Sequence, residues 1–111
     1  MTRITVLYES GRIIGFEAKG HTGYADHDYD IVCAGVSALT QTAYLGITEL
    51  AGADVDFHQG DGVLRLKLGQ ALTNKQREQA ELILGTMVAG LRSIEENYSD
   101  YLKLKKREVK A

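Results

Sequence analysis

The sequence predicts an α+β fold, a two-layer domain in which a mostly antiparallel sheet carries two helices on one face. Three observations lead there. Short stretches near both ends and in the middle alternate apolar with polar residues, the period of strands buried on one side. Two longer stretches repeat apolar residues at helical spacing,. The order strand, strand, helix, strand, strand, helix, strand lets hairpins build a sheet whose one face both helices cover.

Residues 3–8 place Ile4, Val6 and Tyr8 on one side. Glu9-Ser10-Gly11 forms a turn, and residues 12–19 return with Ile14, Phe16 and Ala18 on one face. Residues 20–30 are polar, carry two glycines and show no period, which predicts a loop,. Asp30 is then expected as an N-cap, its carboxylate accepting from the free amides of a helix over 31–50,. That helix is apolar on two stripes: Val32, Val36, Leu39, Ala43 and Leu50, then Ile31, Ala38 and Leu45. Such a helix is expected to be buried, between sheet and second helix or against a second copy of the chain.

Residues 54–58 and 63–68 predict a second hairpin around Gln59-Gly60-Asp61-Gly62, with Leu64, Leu66 and Leu68 pointing one way,. His58 shares the parity of Asp54 and Asp56 and is placed on the solvent side. Thr73 and Gln76 have capping-box spacing,. They open a helix carrying Ala80, Ile83, Leu84, Met87, Leu91 and Ile94 on its apolar face. Residues 101–105 alternate again as a last strand.

The 111 residues fit one domain, taken as 1–111,. Hydrophobic residues make up 44% and charged residues 25%, with a formal net charge of -2. That balance argues against direct nucleic-acid binding, which needs clustered Lys and Arg. The basic run Lys103, Lys105, Lys106, Arg107 reads as a solvated tail, with RNA or an acidic partner as the functional alternative. One cysteine permits no intramolecular disulfide and fits a reducing compartment,. The charged N-terminus does not resemble a signal peptide, and no stretch reads as a membrane span,. The expected location is therefore cytoplasmic. No metal site or cofactor is expected: one Cys and three scattered His lack zinc spacing, and neither a P-loop nor a dinucleotide fingerprint is present,.

The candidate chemistry centres on Cys33, expected at the third position of the first helix. Free amides at a helix N-terminus stabilise an anion, and the thiolate is the reactive form of cysteine. A histidine can hold that thiolate and then protonate a leaving amine. His21 opens the loop that precedes the helix and can fold back over its start, with His27 as a rival base. Amides near residues 31–34 are the expected oxyanion donors. Spacing alone favours an inert core thiol, since cysteine usually packs as a small hydrophobe. Ser37, four residues on, shares the face of Cys33 and either orients a catalytic group or bonds back to its helix,.

Gly20-His21-Thr22-Gly23-Tyr24-Ala25, followed by Asp30-Ile31-Val32-Cys33-Ala34 and Val36-Ser37-Ala38-Leu39, resembles the signature of the bacterial ribosomal-processing cysteine proteases, the Prp family. The specific likeness is confined to residues 20–39, while length and element order agree over the whole chain. The resemblance implies a catalytic dyad of His21 and Cys33, with Asp30 and Ser37 supporting it. It implies a mobile loop over the site, including Gly20, Gly23 and Tyr24, and a homodimer. The implied substrate is a large-subunit ribosomal protein whose N-terminal extension is removed near an aromatic pair followed by a small residue. One position departs: Asp28 stands where the pattern usually has glycine, which restricts the backbone there,. Asp26, Asp28 and Asp30 also crowd the site, opposing thiolate formation while favouring a protonated His21. A ribosome-associated module that binds a peptide without cleaving it, and a structural dimerisation domain with an inert Cys33, are the alternatives from other classes.

Overall fold

The strands β1 (Thr2–Glu9) and β2 (Arg12–Lys19) form a hairpin, as the alternation predicts. Its turn residues Ser10 and Gly11 have φ of 51° and 78°. Positive φ at both central residues matches the twist of the flanking strands. The structure, a computed structural model, describes residues 1–20 and 27–109, with side chains described for 1–20 and 30–109. The next element is α1 (His27–Leu45), which continues as a π-helical segment (Gly46–Leu50). The hairpin β3 (Val55–Gly60) and β4 (Val63–Leu68) turns at Asp61-Gly62, with φ of 52° and 74°. The long α2 (Asn74–Asn97) and β5 (Leu102–Glu108) complete the chain.

The five strands are ordered β3-β4-β2-β1-β5. Three pairings are antiparallel, while β5 runs parallel to β1. The parallel pairing needs a crossover, and α2 supplies it. The register aligns one set of apolar residues across the sheet: Leu104 with Ile4, Ile4 with Ala18, Ala18 with Leu64, and Phe16 with both Val6 and Leu66. This inner face packs against Val32, Val36, Ala43 and Ile47 of the first helix and Ala80, Leu84, Met87, Val88 and Leu91 of α2 in one core. Thr73 caps α2 with the capping box its spacing predicts: its side chain accepts from the Gln76 amide, and the Gln76 side chain accepts from the Thr73 amide.

Several boundaries differ from the sequence reading. The first helix begins at His27, so Asp30 lies inside it and does not cap it. Asp28, where the family pattern has glycine, falls in the same first turn, and glycine is a poor helix former there. β3 extends through Gly60, because a two-residue turn suffices where four were expected. The stretch Asp30–Leu50 has a mean hydropathy of 1.4 and is long and apolar enough by composition to cross a membrane, contrary to expectation. Here one of its stripes packs into the core of the sheet layer. The helix is not buried all round: Ile31 and Leu45 are 44% and 48% exposed, and Leu50 is 86% exposed.

The last strand forms as the alternation over 101–105 predicts and runs on through Glu108, so the basic run is not a solvated tail but lies in β5, an edge strand beside β1. Lys103, Lys105 and Arg107 alternate onto the sheet face opposite the helices. Arg3, Lys19, Arg65 and Lys67 have the same parity, and among the described residues the strand acids of that parity are Glu9, Glu17 and Asp56. His58 lies on this face too, exposed as its parity predicts. Lys106 turns to the other side, its ammonium 5.7 Å from the Tyr8 ring, a cation–π contact.

Candidate functional site

Cys33 is positioned by the burial of its neighbours. Val32 and Val36 are each 1% exposed and fix the rotation of α1 on the sheet, which leaves Cys33 partly exposed at the layer's edge. Its Sγ lies 3.8 Å from Thr2 Oγ1, either atom donating. Thr2 is fully buried, and its amide donates to the Tyr101 carbonyl at 2.9 Å. The start of β1 therefore meets both β5's entrance and the thiol.

Gly20 follows β2 directly, beside the same point. Its φ is 105°, and a Cβ built there would lie 2.2 Å from the Met1 carbonyl oxygen. Only glycine fits so close an approach with that backbone. The residue before His21 is thus pinned to the strand that contacts Cys33. His21, Gly23 and Tyr24, proposed from the motif, lie outside the described residues. The side chain of His27 is also outside them, though its backbone begins α1.

Ser37 stands one turn beyond Cys33 and lines a cleft of about 240 Å³ with Thr40 and Gln41. The opposite wall comes from Gln59, Gly60 and Gly62 of the β3–β4 hairpin. Thr40 is spoken for, donating to the Val36 carbonyl at 2.8 Å. The floor of the cleft is apolar, from Ala18, Val36, Val63 and Leu64, and Cys33 itself does not line it. Asp30 is exposed on the helix surface, where water screens its charge.

The start of α1 at His27 changes the electrostatic argument. Cys33 is the seventh helical residue rather than the third. The free amides belong to the first turn, and the dipole's effect fades beyond it. Amides at 31–34 donate to carbonyls four residues back within the helix and are not free oxyanion donors,. Sequence reasoning missed Thr2 as a neighbour of the thiol. Its parity with Ile4 and Val6 places it on the inner face, but nothing local pairs it with residue 33. The cleft residues Gln41 and Gln59 carried no sequence signal. Among the described residues, no group of three or more His, Cys, Asp or Glu is arranged to hold a metal ion.

Residues 1–103 match the family described as Cysteine protease Prp. The chain is 33% identical over 94 residues to the ribosomal processing cysteine protease Prp of Bacillus subtilis, covering 83% of this chain and 84% of that protein. It is 30% identical over 96 residues to the protein of the same name from Staphylococcus aureus, covering 86% and 89%. The S. aureus ribosomal processing protease in complex with a substrate peptide superposes with a TM-score of 0.84 at 25% identity, over 96% of this chain and all of that one. Its complex with a covalently linked product peptide gives 0.82 at 26% identity, with the same coverage. The five-stranded sheet, the helix that carries Cys33 and the sequence match together make this chain a member of the cysteine protease Prp family.

Proposed function

We propose that this cysteine endopeptidase removes the N-terminal extension of a large-subunit ribosomal protein in the cytoplasm, working as a homodimer, with Cys33 as nucleophile and His21 as its base and acid. The observation that carries the reading is a partly exposed thiol, one helical turn from a cleft, in a chain whose relatives are ribosomal processing proteases. His21 takes the Cys33 proton, and the thiolate adds to the scissile carbonyl carbon. The carbonyl reforms as the C–N bond breaks, and His21 returns the proton to the leaving amine. The extension is then held as a thioester on Cys33, which water hydrolyses with His21 as base. Asp30 and Ser37 act around this pair, Ser37 from the wall of the cleft.

The homodimer reading rests on the helical layer. A groove of about 370 Å³ between α1 and α2 is lined by Leu39, Ala43, Leu82, Ile83 and Met87. Leu82 is 74% exposed beside it, and Leu45 and Leu50 extend the apolar surface. A patch of this kind marks an association surface.

The test is incubation with a peptide that bears an aromatic pair followed by a small residue. Cleavage by the unaltered protein that disappears in Cys33→Ala is the expected result. Cleavage surviving in Cys33→Ala refutes the nucleophile, and binding without any turnover refutes the protease assignment. His21→Ala abolishes turnover and His27→Ala retains it if His21 is the base.

A further inference from the structure

We propose that the open face of the sheet binds the phosphate backbone of folded RNA. The chain has a formal net charge of -2, yet this face is basic, because folding segregates the charges. Across β2, β1 and the edge strand β5, toward the Met1 end of the face, a depression of about 200 Å³ is lined by Arg3, Lys19, Lys105 and Arg107, with Thr5 and Glu17. Arg107 is paired to Glu17 at 3.3 Å. Among the described residues, Arg3, Lys19 and Lys105 have no ion pair and are exposed. Neighbouring strands lie about 4.8 Å apart and alternate residues about 6.6 Å apart, so the cations form a flat grid rather than a pocket for one small anion.

Two features select the occupant. An interface with an acidic protein needs apolar and aromatic anchors at its centre. Among the described strand residues of this parity there is no Phe, Tyr or Trp, and Leu7 is buried. Single-stranded RNA needs aromatic platforms for its bases, so the same absence favours duplex backbone. The row Lys103, Arg3, Lys19 lies at the end of the sheet where Thr2 meets Cys33. RNA held there lies beside the end that bears the thiol. The choice of RNA over other polyanions rests on the ribosomal substrate proposed above; the basic face itself does not.

The probe is a fluorescein-labelled 20-base-pair RNA duplex, titrated with the full chain and read by anisotropy without any peptide. Five cations meeting phosphates give a slope of about -4.5 in log affinity against log salt, at roughly 0.9 per contact. Lys103→Glu with Lys105→Glu, on the edge strand, is expected to weaken binding at least tenfold and flatten the slope by about two contacts. Lys75→Glu with Arg92→Glu makes the same change in net charge on α2 and is expected to leave binding unchanged. Equal losses in the two variants overturn the proposal, as does salt-independent binding or poly-glutamate competing as strongly as unlabelled duplex. Peptide cleavage is measured in parallel, so failure of the protease reading and failure of RNA binding are separate outcomes.

Discussion

Replacing Gly20 by alanine tests the junction on which the site depends. Two costs combine there. The φ of 105° is one that side chains rarely adopt, and the new Cβ would sit 2.2 Å from the Met1 carbonyl oxygen. The oxygen cannot simply yield, because the next amide, that of Thr2, is tied to the Tyr101 carbonyl. Two other glycines separate the costs. Gly11, with φ of 78° and nothing within 4 Å of its Cβ position, carries the backbone cost alone. Gly60, a strand residue with open space at its Cβ, carries neither. Alanine is expected to be near neutral at Gly60 and to cost about 1–2 kcal/mol at Gly11. At Gly20 it is expected to cost roughly 3–4 kcal/mol, strain and displaced backbone together. At about 4–8 °C per kcal/mol for a domain near this size, Gly20→Ala lowers Tm by roughly 12 °C or more. Thermal unfolding followed by far-UV circular dichroism reads all three. A loss at Gly20 no larger than at Gly11 would show that the approach to Met1 does not constrain the chain.

Other outcomes follow from single contacts. Thr73→Ala removes the capping box of α2 and is expected to cost about 1 kcal/mol in urea unfolding. Thr73→Ser should restore most of it. Leu66→Ala empties a fully buried position between Phe16 and Phe57, with an expected loss of about 2–5 kcal/mol. Leu82→Glu charges the apolar patch between the helices while leaving the core intact. It is expected to shift a sedimenting dimer to monomer with Tm changed only through dissociation. A variant that sediments as the unaltered protein does refutes that face as the interface.

Much of the fold was legible because local pattern and burial agree. The alternation of Ile4 and Val6, of Phe16 and Ala18, and of Leu64, Leu66 and Leu68 specified the strands and their inner face. Asp61-Gly62 and Thr73 with Gln76 announced a turn and a helix start, since their geometry is decided by adjacent residues. The start of α1 was misplaced for the same reason. Asp30 is a good cap residue, but the helix runs back past it to His27, and no local rule forbids that.

The sequence by itself determined the α+β class, the order of elements and, through the Gly20-His21 and Asp30–Ala34 motif, the family. The tertiary structure decided what is near what. That Thr2 bonds Cys33, that Gly20 is pressed on Met1, and that the β3–β4 hairpin walls the cleft beside Ser37 are long-range facts. It also decided the sign of a whole surface. The alternation over 101–105 announced a strand but not its neighbour; paired in parallel with β1, its lysines join cations of strands far away in sequence. Periodicity reports which face a residue takes, but only the pairing of strands decides which residues share it.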